Sequence, residues 1–165
     1  MHKYELSITI PFYNEEDNIK NVVKNLEREL NKNRINYELV LVNNGSSDAT
    51  PKIIEKLRKN NSRIKQINII KNHGYGFGVV NGLNAAKGEY IGYIDGDNQI
   101  DPRQVIKAYN KIKGADAALC ITKRSKRPSK LIRKIASICY NTILNILIFI
   151  VFWDINSKPK IMRQK

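Results

Sequence analysis

The sequence predicts an α/β domain built on a mostly parallel β-sheet with helices on both faces. Three observations predict it. Short apolar runs alternate with stretches of helical periodicity along most of the chain, which is the pattern of successive βα units. The connections between them are short, which lets neighbouring strands join one sheet. The run Leu39-Val40-Leu41-Val42 is apolar at every position, so both faces of that strand are covered, as inside a parallel sheet. With 165 residues and a hydrophobic content of 42%, the chain is long enough to bury a core.

Residues 6–10 read as the first strand. Asn14 is expected to cap the helix that follows, with Glu15, Glu16 and Asp17 favourable against its dipole. Ile19, Val22, Val23, Leu26 and Leu30 recur at helical spacing and give that helix one buried face. Residues 37–42 form the second strand. Gly45-Ser46-Ser47-Asp48 then turns into a helix over 51–59, with Pro51 in its first turn. A third strand over 64–70 leads to a helix over 76–86, with Gly88 as its stop. Residues 90–94 are the fourth strand, 102–113 the fourth helix and 117–122 a fifth strand. Sheets of this kind bind ligands beyond the carboxyl ends of their strands. The segments 11–15, 43–48 and 95–99 fall there.

A formal net charge of +14 predicts attraction to an anionic partner such as nucleic acid, anionic lipid or a phosphorylated substrate. The N-terminus carries no secretory signal pattern, so a cytoplasmic location is expected. Cys120 and Cys139 have no metal-like spacing and are expected as reduced, buried thiols. After Asp116 the composition shifts, and residues 117–153 contain no acid at all. Lys123-Arg124-Ser125-Lys126-Arg127-Pro128-Ser129-Lys130 is a basic loop, and 138–153 is strongly apolar. That apolar run falls short of the roughly 20 residues that span a bilayer. It fits a helix lying in the membrane interface, with a helix packed on the domain's own core as the alternative. The chain thus divides into a core over 1–123 and a basic, apolar C-terminal segment over 124–165.

The sharpest chemical signal is Tyr93-Ile94-Asp95-Gly96-Asp97-Asn98-Gln99. Two aspartates two apart at a strand end can aim at one point, and Mg²⁺ takes one or two carboxylates plus substrate phosphates. Gln99 adds an amide oxygen or orients a metal-bound water. The alternative is an Asp-Gly turn with solvated carboxylates. Upstream, Lys71-Asn72-His73-Gly74-Tyr75-Gly76-Phe77-Gly78 precedes a helix; its alternating glycines let backbone approach a phosphate at the helix N-terminus. The spacing fits neither a Walker A loop nor the dinucleotide fingerprint. Gly82 serves equally well for close packing of the helix.

Three segments carry a resemblance to a known family. Ser7-Ile8-Thr9-Ile10-Pro11-Phe12-Tyr13-Asn14-Glu15 resembles the opening strand and Pro-x-Tyr-Asn-Glu turn of the family 2 glycosyltransferases. Leu41-Val42-Asn43-Asn44-Gly45-Ser46-Ser47-Asp48-Ala49-Thr50 resembles their Val-Asp-Asp-Gly-Ser-x-Asp-x-Thr segment, with two asparagines in place of the two aspartates. Gly88-Glu89-Tyr90-Ile91-Gly92-Tyr93-Ile94-Asp95-Gly96-Asp97-Asn98-Gln99 resembles their Gly-Glu-Tyr…Asp-Ala-Asp-x-Gln metal strand. The order and intervals match from Leu6 onward. The resemblance implies a GT-A-like, Rossmann-like fold and a nucleotide-sugar donor. It places Pro11, Tyr13, Glu15 and Asn43 around the nucleoside, and Asp95, Asp97 and Gln99 around Mg²⁺ or Mn²⁺.

Within that family the chain is most similar to the polyprenyl-phosphate (dolichyl-phosphate) mannose or glucose synthases. Arg124 stands where that branch has a Ser-Arg pair, and Arg133, Ser137 and Asn141 match its Arg-x-x-x-Ser-x-x-x-Asn helix. Asp154-Ile155-Asn156-Ser157-Lys158-Pro159-Lys160 resembles the Asp-x-x-Ser-Gly-Phe-Lys that follows, with Lys158-Pro159 in place of Gly-Phe. The resemblance implies inverting transfer of a hexose to a polyprenyl phosphate at the cytoplasmic face of a membrane. Asp95, Asp97, Arg124 and Arg133 would carry the catalytic roles, and Ser137 would hydrogen-bond the acceptor phosphate.

The composition agrees with an acceptor of this kind. An alcohol acceptor needs a general base, and no acid follows Asp116 until Asp154. A phosphate acceptor is already anionic and needs cations instead, which the basic segment supplies. Two other readings stay open: a glycosyltransferase for cell-surface polysaccharide or glycolipid, and a catalytically inactive partner subunit. A nucleic-acid-binding module is disfavoured, because the basic stretch lacks interleaved aromatics.

Overall fold

The computed structural model describes residues 2–115, 117–121 and 157–164. The elements run β1 (Tyr4–Phe12), α1 (Ile19–Lys32), β2 (Tyr37–Asn44), α2 (Thr50–Asn60), β3 (Ile64–Ile69), α3 (Tyr75–Ala85), β4 (Gly88–Tyr93), α4 (Pro102–Lys113), β5 (Leu119–Ile121) and β6 (Lys160–Arg163). They build one six-stranded sheet in the order β3-β2-β1-β4-β6-β5. The neighbours β3-β2-β1-β4 are all parallel, as short βα connections require. β6 is antiparallel to both β4 and β5. This last strand comes from the 124–165 segment, so the sheet draws strands from both sides of residue 123. The apolar helix expected over 138–153 lies outside the described residues.

Strand alternation decides which helix covers which face. Leu6, Ile8, Ile10 and Phe12 of β1, with Leu39 and Leu41 of β2, join the main core cluster. Against them pack Ile19, Val22, Val23, Leu26 and Leu30 of α1, Ile54 of α2, and Val105, Ile106 and Tyr109 of α4. Val40 and Val42 point the other way, into a smaller cluster with Ala85 and Ala86 at the end of α3. One face therefore carries three helices and the other carries α3. α3 lies unusually close: a Cβ on Gly82 would sit 2.2 Å from Thr9 Cγ2 and 2.9 Å from Val42 Cγ2. Close packing is what requires glycine at that position.

Two local expectations are corrected. Asn14 does not cap α1, which begins at Ile19 behind Asn18 and holds no acid in its first turn. Asn14 instead has φ 53°, and its carboxamide oxygen accepts from the Ser47 N–H at 2.9 Å. The residue ties the β1–α1 loop to the β2–α2 loop. Gly88 does not stop α3, whose C-cap is Ala86. It opens β4, where a Cβ would lie 2.6 Å from the Ser7 backbone nitrogen. Its N–H donates to Ser7 Oγ at 2.9 Å, and Ser7 Oγ donates to the buried Glu38 at 2.8 Å.

Candidate functional site

The carboxyl ends of β1, β2 and β4 border a cavity of about 280 Å³ on the α3 side of the sheet. Register explains what meets there. Thr9 pairs with Tyr93 and Phe12 with Asn43, so two residues beyond Thr9–Tyr93 Pro11 stands beside Asp95, and one beyond Phe12–Asn43 Tyr13 stands beside Asn44. Pro11, Phe12, Tyr13 and Glu15 form one wall, Asp95, Gly96 and Asp97 another, and Asn44, Asn72, Gly74 and Tyr75 the third. Gly96 lets the Asp95–Asp97 turn press onto β1. An added Cβ would lie 2.5 Å from the Phe12 ring and 2.9 Å from the Pro11 carbonyl oxygen.

Five of the expected site residues line this one cavity: Pro11, Tyr13, Glu15, Asp95 and Asp97. Tyr13 is half exposed. The Glu15 carboxylate accepts from Asn18 Nδ2 at 2.6 Å, and the Glu15 N–H donates to Thr50 Oγ1 at 3.0 Å. Asp97 Oδ1 accepts from the Gln99 N–H at 3.1 Å. Gln99 itself is exposed and does not border the cavity. Asn43 is buried, and its Oδ1 accepts from the Ser46 N–H at 3.1 Å, stabilising its own turn. Arg124, Arg133 and Ser137 lie outside the described residues.

The third wall joins the glycine loop that the sequence singled out to Asn44, to which sequence reasoning gave no site role. Asn44 is only 3% exposed. Its Nδ2 donates to Asn72 Oδ1 at 3.3 Å and to the Gly74 carbonyl at 3.2 Å. Asn72 Oδ1 also accepts from the Gly74 N–H at 2.7 Å. Together they pin the loop that opens α3. Among the described residues, the buried Asn44 Oδ1 accepts no hydrogen bond. The signal was available: Val40, Val42 and Asn44 share the face toward α3, whereas Asn43 points away. Gly74 and Gly76 leave space open, since a Cβ on either would meet nothing within 4 Å. Such a loop at a helix N-terminus suits a close-approaching anion.

Lys158 is the other addition. Its ammonium pairs with Asp95 Oδ1 and sits 4.0 Å from the centroid of the Tyr75 ring. The Tyr75 phenol is held well above its ordinary range, first by burial and then by the Asp95 charge and hydrogen bond. It stays protonated and donates.

The donor set decides what the cavity can hold. Among the described residues no cluster of three His, Cys, Asp or Glu could hold an ion unaided. Two carboxylates facing one cavity are hard oxygen donors, which Mg²⁺ or Mn²⁺ take together with phosphate oxygens. The residues therefore fit a divalent ion that arrives with a phosphorylated ligand. A larger cavity of about 420 Å³ lies at the opposite end of the sheet, against Lys3, Arg58, Lys65 and Lys87. Its buried acid, Glu38, is already taken by Ser7 and the Lys87 N–H, and it lies away from every motif above.

The family model described as glycosyl transferase family 2 matches residues 7–165. An uncharacterized glycosyltransferase of Synechocystis sp. is 34% identical over 123 residues, covering 74% of this chain and 39% of the relative. A dodecaprenyl-phosphate galacturonate synthase of Rhizobium johnstonii is 27% identical over 161 residues, 96% of this chain and 48% of the relative. The chain spans less than half the length of these curated relatives. Among solved structures, glucosyl-3-phosphoglycerate synthase from Mycobacterium tuberculosis, in complex with Mn²⁺, UDP and glucosyl-3-phosphoglycerate, superposes with a TM-score of 0.69 at 18% identity. That match covers 98% of this chain and 57% of the other, and it shows the shared fold.

Proposed function

The chain belongs to glycosyl transferase family 2, and from that premise we propose that it moves a hexose from a nucleotide sugar to a polyprenyl phosphate. One observation carries the donor half. Asp95, Asp97, Pro11, Glu15, Asn44 and the glycine loop before α3 surround a single cavity at the carboxyl ends of the strands. A nucleoside diphosphate has a polar, planar end for Asn44 and Glu15 and an anionic end for the α3 N-terminus. Asp95 and Asp97, with Gln99 nearby, would hold Mg²⁺ or Mn²⁺. When bound, that ion supplies Lewis-acid stabilisation of the departing diphosphate. The Mn²⁺ and UDP of the mycobacterial enzyme support the same donor chemistry.

The acceptor half rests on composition and on one relative. Residues 117–153 hold no acid that could serve as a base, and the Rhizobium relative is named for a dodecaprenyl-phosphate product. Arg124 and Arg133 would hold the acceptor phosphate, and Ser137 would hydrogen-bond it. One phosphate oxygen attacks the anomeric carbon as the bond to the nucleoside diphosphate breaks. The electron pair leaves on the diphosphate, and the sugar's configuration inverts. Such an acceptor places the protein peripherally at a membrane's cytoplasmic face. No helix among the described residues is long and apolar enough to cross one.

The test is a thermal-shift titration with UDP, GDP, CDP and ADP, each with and without Mn²⁺. A ligand at 100 times its Kd adds about 2.7 kcal/mol, which for a chain of this size raises Tm by roughly 5–10 °C. The expected result is a Mn²⁺-dependent shift with one nucleotide, abolished in Asp97→Ala. A shift that Asp97→Ala leaves intact refutes the metal assignment. Organic extraction of labelled product after incubation with undecaprenyl phosphate tests the acceptor, and label confined to the aqueous phase refutes it.

A further inference from the structure

The sheet places a cation on one of the two aspartates that face the cavity. β6 runs antiparallel to β4 with Tyr93 opposite Lys160. Each step forward along β4 is a step back along the partner, so Asp95 stands opposite Lys158. The Lys158 ammonium pairs with Asp95 Oδ1 and packs over the Tyr75 ring at 4.0 Å. Its side chain is only 19% exposed and that of Asp95 30%. A largely desolvated ammonium depends on its counter-charge, and the carboxylate it uses is one of the two that would hold a metal at Asp95 and Asp97.

We propose that Lys158 is a resident monovalent counter-ion for Asp95 that a divalent cation has to displace. The inference rests on reading Asp95 and Asp97 as the metal ligands. Its consequence is a coupling between metal and nucleotide. Two aspartates and one ammonium leave a single net negative charge at the pair, half that of the aspartates alone, which weakens its attraction for a divalent ion. A divalent ion entering alone creates excess positive charge. A nucleoside diphosphate entering with it supplies the compensating anion, and its phosphate oxygens give the displaced ammonium a new partner. The metal therefore binds weakly alone and tightly with nucleotide, and Lys158 moves from Asp95 to the diphosphate.

The experiment measures Mn²⁺ binding to the full chain from the electron paramagnetic resonance signal of free Mn²⁺, alone and with UDP or GDP. Lys158→Met keeps the length and the ring contact without the charge, Lys158→Gln keeps a donor for Asp95, and Lys158→Arg keeps the charge. Without nucleotide, both neutral variants are expected to bind Mn²⁺ about tenfold or more tightly than the wild type, from loss of one positive charge in contact with the site. The arginine variant should resemble the wild type, and the tightening that nucleotide confers should shrink in both neutral variants. Equal Mn²⁺ affinity of wild type and neutral variants without nucleotide overturns the inference and leaves the metal reading standing. No Mn²⁺ binding by any of the chains, even with nucleotide, overturns both. Melting curves confirm that each variant is folded.

Discussion

Replacing Asn44 by aspartate, the residue type that the family resemblance leads one to expect there, tests whether this cavity wall is built around an amide. Asn44 Nδ2 faces two acceptors, Asn72 Oδ1 at 3.3 Å and the Gly74 carbonyl at 3.2 Å. The Gly74 carbonyl can only accept, so the amide nitrogen has to face it. A carboxylate would turn both hydrogen bonds into contacts between oxygens. Asn72 is not free to compensate by turning its own amide, because its Oδ1 also accepts from the Gly74 N–H at 2.7 Å. Two lost hydrogen bonds of about 1 kcal/mol each, plus about 1–3 kcal/mol for a buried carboxylate without donors, give a cost of roughly 3–5 kcal/mol. Urea unfolding followed by circular dichroism at pH 7 measures it. The deficit should shrink on acidification, since a protonated carboxyl regains one donor and its folded-state pKa is raised. Stability within about 0.5 kcal/mol of wild type at pH 7, below any of these contributions, would refute the reasoning.

Two further outcomes follow from the same geometry. Gly82→Ala gains up to about 1 kcal/mol in helix propensity but forces a methyl against the buried Thr9 and Val42, at a cost of about 1–3 kcal/mol. Net destabilisation is expected, whereas Gly76→Ala, with open space at its Cβ, should hold or raise Tm; a stabilised Gly82→Ala would mean that α3 does not sit this close to the sheet. Asp48 accepts from the Thr50 N–H at 2.9 Å and the Glu16 N–H at 3.1 Å. Burial raises its pKa, but these hydrogen bonds outweigh that and hold it below its ordinary 3.8. A depressed carboxylate stabilises the fold above its unfolded pKa and loses that contribution as pH falls through the folded value. Wild type should therefore lose more stability than Asp48→Asn on acidification below pH 3.8, and parallel acid profiles would count against the role.

The four parallel strands and their helices are legible because each carries a local signal. Leu39 to Val42 is apolar at every position and proves covered on both faces, and the helical spacing of Ile19 to Leu30 matches the residues that α1 buries. Boundaries move where a tertiary contact replaces a local rule. Asn14 has the composition of a cap but is used to join two loops, and Gly88 has the composition of a stop but is needed where β4 meets Ser7. Neither demand is written in the neighbouring residues. The same holds for β6. Lys160–Arg163 is four residues long, alternates weakly and follows a proline, so nothing local distinguishes it from a tail. What makes it a strand is the pair of free edges offered by β4 and β5, which are remote in sequence.

The candidate site divides along the same line. Pro11, Tyr13, Glu15, Asp95 and Asp97 are legible because a parallel sheet brings the carboxyl ends of its strands to one border. Which of two adjacent asparagines faces that border is a question of strand phase. Val40 and Val42 lie in the cluster beneath α3, and a period of two then carries Asn44 to the cavity and Asn43 away from it. Lys158 required knowledge of β6, since only an antiparallel register sets it opposite Asp95. A parallel strand of the same sequence would reverse the direction in which residues run past Asp95 and send the ammonium elsewhere. The charge of the cavity is therefore a property of sheet topology as well as of composition: two aspartates alone would attract a cation, and two aspartates with a lysine across the sheet are already half compensated.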